Sequence, residues 1–164
     1  MAPIGGEVPR LCVAAVGSCA PDAEKVVTTA VDTAGLTVRW QPGPPLSGTL
    51  AASGPVPGGV DRFLRAVDVE LAEHNAHRSR LRLRIALHFG DPATTRALLA
   101  LPALADALDE APDATLAVLV SDQVPRTARP TPAFHRLHRH TTSRWLWVPG
   151  WRPAHRQSPT PVWR

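Results

Sequence analysis

Apolar and polar positions follow the clearest pattern between residues 80 and 122, which predict a strand, a helix and a second strand. From Arg80 to His88, basic residues alternate with leucine and isoleucine, the period-2 pattern of a strand with one buried face. Leucine and alanine then recur at helical spacing, and Pro102 is expected to interrupt or kink that helix. The continuous apolar run TLAVLV at 115–120 predicts a central strand covered on both faces.

The rest of the chain predicts a mixed fold around this unit. Asp22 is expected to cap the first helix, and Gly35 is expected to be its C-cap glycine. In chain order the predicted elements are a central strand at 11–16, a helix at 23–34, strands at 36–41 and 46–52, and a helix at 59–76. The strand–helix–strand unit at 80–122 follows, and then two final strands at 133–140 and 142–148. The pattern favours an α+β sandwich of the ferredoxin-like kind, with a mixed, mostly antiparallel sheet and helices mainly on one face.

A length of 164 residues favours a single domain, taken as 1–150, followed by a flexible tail at 151–164 that is rich in proline and arginine. No run reaches membrane-spanning length, and the first residues lack the pattern of a signal peptide, so a cytoplasmic protein is expected. Cys12 and Cys19 fit the reduced thiols of a cytosolic protein, and their spacing matches no usual zinc pattern. We therefore expect no metal and no cofactor.

The net charge of +4 conceals two oppositely charged parts. Residues 1–125 carry ten basic and fourteen acidic residues, a net −4, whereas residues 126–164 carry eight arginines and no acid, a net +8. A basic C-terminal region can bind nucleic acid, an acidic partner or a membrane surface, and it can also be a solvated extension.

One loop could meet an anion, because it opens a helix. Asp91, Thr94 and Thr95 follow Gly90; exposed amides at a helix start attract phosphate, and the two hydroxyls could add contacts. Asp91 would repel an anion, and the loop has neither the glycine repeat nor the lysine of a P-loop. The three residues are therefore candidate ligand-binding residues. The alternating arginines of the strand before them favour a solvated outer face, with phosphate binding as the alternative.

Aromatic and basic residues interleave near the C-terminus. The candidate interaction residues are Arg144, Trp145, Trp147, Trp151 and Arg152. Tryptophan beside arginine suits stacking on bases, and it equally suits a protein interface, where these residue types concentrate as hot spots. We prefer the interface.

With this order of elements, residues 9–150 resemble the catalytic domain of class III nucleotidyl cyclases, the adenylyl and guanylyl cyclase family. Three pieces carry the resemblance. They are RLRIALHFG at 82–90, ALADALDEAPDATLAVLVSDQV at 103–124, and the terminal pair that ends in Trp145-Leu-Trp-Val.

The functional residues of that family do not carry over. Its members hold two metal ions with one aspartate at the end of the first strand and a second in a hairpin, and the metals activate the ribose hydroxyl and neutralise the triphosphate. Here the first strand has no acid before Asp22, and the hairpin position, near Leu46-Ser47-Gly48, has none. The family's transition-state asparagine and arginine would fall at Leu104 and Leu108, and its purine-selecting lysine near Ser143-Arg144.

The resemblance therefore implies a degenerate domain that is not an enzyme. The expected function is that of a protein-interaction or regulatory module in bacterial signalling or conflict response, acting on a protein partner or on itself as a homodimer. Two alternatives stay open: a nucleotide sensor that uses the inactive site, and a nucleic-acid binder that uses the basic C-terminal region.

Overall fold

A computed structural model describes residues 10–52, 59–121, 135–139 and 142–149. The predicted tail at 151–164 lies outside the described residues. The strands are β1 (Arg10–Gly17), β2 (Leu36–Gln41), β3 (Leu46–Ala52), β4 (Leu83–Gly90), β5 (Leu116–Ser121), β6 (His135–Arg139) and β7 (Thr142–Trp147). The helices are α1 (Ala20–Thr33), α2 (Gly59–His77), α3 (Pro92–Leu99) and α4 (Pro102–Glu110).

The described strands form one mixed sheet in the order β2-β3-β1-β4-β5-β7-β6. Every neighbouring pair is antiparallel except β4 and β5, which are parallel. The mixed, mostly antiparallel sheet and the central position of β1 are therefore confirmed. The final strands β7 and β6 extend the sheet beyond β5, so that β5 is buried along its whole length.

The sheet is covered on both faces, and each face has its own apolar core. Side chains alternate across a strand, so Val13 and Ile85 face the core formed with α1 and α2, whereas Ala14 and Ala86 face the core formed with α3 and α4. We call these the α1/α2 face and the α3/α4 face. The expectation that the helices lie mainly on one face is wrong.

The physical reason lies in the handedness of the two crossovers. β1 crosses through α1 to β2 on one side of the sheet, and β4 crosses through α3 and α4 to β5 on the other side, running in the opposite direction. Rotating the sheet by 180° about its normal superposes the two crossover paths and does not exchange the two faces. Two crossovers of the same hand would therefore place all the helices on one face. Because they lie on opposite faces, the two crossovers have opposite hands, although right-handed crossovers are strongly preferred.

Local signals locate the elements closely, with one error at a helix start. The long predicted helix is divided into α3 and α4, with the break at Ala100 and Leu101 before Pro102. Gly35 follows α1 with φ 71°, as expected for its C-terminal glycine. The N-cap of α1 is Cys19 rather than Asp22, because Pro21 occupies the first turn and moves the start towards the N-terminus.

No helix within the part of the chain that the structure describes is both long enough and apolar enough to cross a membrane.

Candidate functional site

The candidate ligand-binding residues Asp91, Thr94 and Thr95 form the N-terminal cap of α3. The Thr94 amide donates to Asp91 Oδ1 at 2.8 Å, and the Thr94 hydroxyl donates to Asp91 Oδ2 at 2.7 Å. Thr95 is buried, and its hydroxyl donates to the Asp91 carbonyl at 2.9 Å. These bonds satisfy groups that a helix start would otherwise offer to an anion.

Asp91 adds negative charge at this position. Hydrogen bonds from the Thr94 hydroxyl and the Thr94 amide hold the pKa of Asp91 below its ordinary value of 3.8. The carboxylate is therefore ionised near neutral pH and opposes a second anion. The helix start is better described as a self-contained cap than as a phosphate site.

A polar row runs across the α3/α4 face beside this cap. Strand register places its members directly opposite one another: Arg39 on β2, Thr49 on β3, Cys12 on β1, His88 on β4, Ser121 on β5 and Arg144 on β7. Four of the pairings are backbone-paired positions of antiparallel strands, and the fifth, His88 with Ser121, continues the parallel pairing of Leu87 with Val120. The outer members are charged and the inner members are neutral hydrogen-bonding groups.

His88 is the centre of the polar row. Its imidazole Nδ1 lies 2.7 Å from Ser121 Oγ, and the side chain is 8% exposed. Burial lowers the pKa of His88 below its ordinary value of 6.5, whereas the nearby Asp91 carboxylate raises it by less. The imidazole is therefore neutral at physiological pH, and it links two parallel strands where they end.

Gly90 makes room for that imidazole. A Cβ placed on Gly90 would overlap His88 Nε2 and lie 3.0 Å from its Cδ2. The ring therefore lies over Gly90, at the end of β4. Any side chain at residue 90 would displace the ring or the strand end.

Cys12 lies next to His88 in the polar row. Its thiol is buried and 3.7 Å from the Gly90 carbonyl. Burial raises the pKa of Cys12 above its ordinary value of 9.0, while contacts with Thr49 and Thr95 lower it by less. A protonated, buried thiol is a poor nucleophile, so Cys12 is suited to packing rather than to covalent chemistry.

The two metal-carboxylate positions implied by the cyclase resemblance lie at the opposite end of the sheet from Asp91. The pairing of Ala15 with Leu46 brings the end of β1 next to the turn between β2 and β3. Residues 16–18 and 42–45 at these positions include no acid. The acid that follows β1 most closely in sequence is Asp22, which lies on α1. Its Oδ2 is 3.6 Å from His74 Nε2 of α2.

The basic strand face at Arg80 and Arg82 has local protein partners. Arg82 donates to the carbonyl oxygens of Leu108, Ala111 (3.2 Å) and Ala114 (3.1 Å), at the end of α4. Arg80 donates to the carbonyls of Pro112 and Ala114. Arg80 is exposed, as a solvated face predicts, whereas Arg82 is partly buried. Both residues lie before β4 begins, and Arg82 binds carbonyls at and just beyond the end of α4.

The described interaction candidates divide between the two faces of β7. Trp145 and Trp147 pack against the α1/α2 core, whereas Arg144 opposes Ser121 in the polar row. Trp151 and Arg152 lie outside the described residues. The structure therefore brings Arg144 into the same row as His88, but it separates the row from the described tryptophans.

A second polar region lies on the outer surface between α1 and α2. A shallow groove there is lined by Lys25, Thr29, Glu70, Glu73, His74, His77 and Arg78, among others. The groove carries both basic and acidic side chains, and His77 Nε2 pairs with Glu73 Oε1 at 3.1 Å. Within the described ranges, no group of three or more histidine, cysteine, aspartate or glutamate side chains is placed to hold a metal ion.

Sequence patterns alone did not reveal the polar row. Its members come from six strands, and only the register brings them together. The available signal was local: Cys12 and His88 are polar residues inside largely buried strands, and Ser121 ends the apolar run of β5. A polar residue in a buried strand needs a partner.

Comparison with protein-family models and with curated proteins finds no match to this sequence.

Proposed function

We propose that the chain is a catalytically silent, cyclase-like regulatory domain of the cytoplasm that acts by binding a protein, either another protein or a second copy of itself. The observation that carries the proposal is the absence of carboxylates from the adjoining ends of β1 and the β2–β3 turn. A paired-metal mechanism needs acidic ligands at that point.

The strand order supports the cyclase-like part of the proposal. The first six elements are β1-α1-β2-β3-α2-β4, and their strands lie antiparallel in the order β2-β3-β1-β4. That is the arrangement expected of a ferredoxin-like core. A parallel strand and an antiparallel pair then extend it on the β4 side, in the order in which the resemblance places the corresponding segments.

The packing of α4 supports the silent part of the proposal. Leu104 and Leu108, at the positions of the family's transition-state asparagine and arginine, are 0% and 6% exposed and belong to the α3/α4 core. Their side chains stabilise the fold by burial. They offer no hydrogen bond to a triphosphate.

The direct test measures cyclic nucleotide formation by the pure chain with Mn²⁺ and either ATP or GTP, alongside an active class III cyclase domain as a positive control. No product above that of the heat-denatured chain is expected. Product formation that scales with chain concentration and disappears on denaturation would contradict the proposal.

Solution mass tests the interaction part separately. A homodimer would have twice the 17.6 kDa mass of the chain, and its proportion would depend on concentration. A monomer at all accessible concentrations would exclude self-association and leave a different protein as the partner.

Thermal shift distinguishes the nucleotide-sensing alternative, because a ligand that binds only the folded state raises the melting temperature. The inactive site lacks the acidic ligands that would hold a metal–triphosphate there. We expect no shift with ATP, GTP or cyclic nucleotides, whereas a shift of several degrees would favour a sensor.

A further inference from the structure

We propose that His88, Ser121 and Gly90 form an acid-sensitive latch, in which a proton on His88 loosens the contact between β4, β5 and the first turn of α3. The inference concerns the end of the sheet opposite the proposed silent site, and it does not depend on the proposed function.

A positive charge on the buried His88 imidazole costs free energy. His88 is 8% exposed and lies on the same face of β4 as Ala86 of the α3/α4 core, with Nδ1 bonded to Ser121 Oγ at 2.7 Å. A buried imidazolium loses hydration that one hydroxyl replaces poorly. Protonation therefore favours any conformation that brings the ring to water.

The absence of a side chain at Gly90 leaves space for the imidazole of His88 at the end of β4. The imidazole Nε2 lies over Gly90, and the charge of Asp91, the next residue, acts on the imidazole. The Asp91 carboxylate attracts a protonated ring, yet it is also the acceptor that holds the Thr94 amide and hydroxyl. An imidazolium at this edge therefore competes for the cap of α3.

Three arginines near the polar row disfavour a positive charge on a buried His88 imidazole. Arg10 of β1 is paired with Gly90, Arg144 of β7 is paired with Ser121, and Arg84 precedes His88 on the same face of β4. On β1 the direct partner is Cys12, whose thiol is neutral. The acids of α4 are exposed, so among the residues that the structure describes Asp91 is the attracting group at the latch.

The sign of the effect follows from linkage. In the closed state His88 has a pKa below 6.5, so below about pH 6.5 the opened state binds more protons than the closed state. Lowering the pH then increases the equilibrium constant for opening, by at most tenfold per pH unit. The increase stops once the closed state also takes up the proton.

Cys12 provides a local probe, because its buried thiol is the direct neighbour of His88 on β1. The experiment uses the full chain with Cys19→Ser and a dithiodipyridine reagent between pH 8 and pH 5. At each pH, the rate for folded protein is divided by the rate for urea-denatured protein, which removes the intrinsic pH dependence of the thiol. We expect a constant ratio above pH 7 and a rise of several-fold, at most tenfold per unit, below pH 6.5.

Two substitutions provide the comparison. His88→Asn keeps a polar group that can reach Ser121 but does not titrate, so its ratio should stay constant with pH. His77→Asn removes an exposed histidine of α2 and should keep the full rise. A constant ratio in the Cys19→Ser parent, or an equal rise in His88→Asn, would overturn the latch.

Low concentrations of urea separate local from global opening. A local latch opens with little dependence on urea, whereas global unfolding depends on it steeply. A rise at low pH that carries the full urea dependence of global unfolding would also overturn the proposal. If His88→Asn does not fold, the parent is titrated by NMR: the His88 ring and the Thr94 amide should shift together, and independent titration would refute the latch.

Discussion

Gly90 and His88 depend on each other at the end of β4. The glycine is required by the position of the imidazole, since φ at residue 90 is not in the left-handed region. The imidazole, in turn, is held by Ser121 across a parallel strand pair. A change at either residue should therefore be felt at the other.

Substitution Gly90→Ala is expected to lower the free energy of unfolding by about 1–3 kcal/mol, because the new methyl group overlaps the imidazole in a packed region. Urea unfolding at pH 7.5 measures the change. The matched control is Gly59→Ala, where a Cβ would meet only an ordinary contact, 3.5 Å from Leu36 Cδ2, and should cost nothing.

A double-mutant cycle assigns the cost to the pair. In a His88→Ala background the methyl group of Gly90→Ala finds space, so the second substitution should cost clearly less than it does in the parent. Equal costs in the two backgrounds would show that the strand end, and not the imidazole, requires glycine at residue 90.

Asp91 should contribute to stability through its position as a cap as well as through its charge. Asp91→Ala removes the acceptor for the Thr94 amide, so the urea midpoint should fall at pH 7. Asp91→Asn keeps an acceptor and should lose less. Because the pKa of Asp91 is lowered from 3.8 in the fold, its ionic contribution is present above pH 3.8 and is lost as the pH falls through the lower, folded value.

The pH dependence of the urea midpoint checks the sign. The parent should lose more stability than Asp91→Asn between pH 5 and pH 2.5, since the unfolded chain takes up the proton first. Parallel curves for the two proteins would mean that the charge of Asp91 contributes nothing to folding.

At the scale of elements, the end of α4 shows how a basic strand is used inside the fold. The last turn of α4 has no basic residue of its own, and it carries Asp109 and Glu110, which the helix dipole disfavours at that end. Arg82 supplies the missing positive charge and donors from the segment before β4.

Substitution Arg82→Met is expected to destabilise the protein by about 2–3 kcal/mol, because it leaves partly buried carbonyls of the α4 end without a charged donor. Arg62→Met on the exposed surface of α2 is the control, and it should change the unfolding free energy by less than about 0.5 kcal/mol. Urea unfolding with circular dichroism compares the two. Similar values would show that water replaces the guanidinium of Arg82 without cost.

Elements were predictable where the signal is local. The apolar run of β5, the alternation in β4 and the break before Pro102 each depend on a few adjacent residues. The start of α1 was misplaced because two local signals compete there: Asp22 has a good capping side chain, but Pro21 fits the first turn and moves the start to Ala20.

At the scale of the whole molecule, the strand order and the two covered faces were less predictable, because they depend on contacts between distant segments. A preference for right-handed crossovers predicts that all the helices lie on one face of the sheet. The β1–β2 and β4–β5 crossovers have opposite hands, so one of the two departs from that preference. The polar row was hidden for the same reason: Cys12, His88 and Ser121 become neighbours only through the register.

Strand β7 contributes to the second core, so we expect it to unfold together with the rest of the sheet. Leu146 of β7 is 4% exposed and packs with Leu119 and residues of α4 in the α3/α4 core. Leu146→Ala should therefore lower the free energy of unfolding by about 2–5 kcal/mol. The control is Val69→Ala at a position that is 66% exposed, where little change is expected.

Two probes decide whether that loss belongs to the whole molecule. Far-ultraviolet circular dichroism follows all helices, and the reactivity of the buried Cys12 thiol follows the centre of the sheet. In Leu146→Ala both should unfold in one transition at the same, lower urea concentration, because a two-state domain loses all its structure together. If Cys12 kept the parent's midpoint, β6 and β7 would be an appendage that unfolds separately from the sheet they extend.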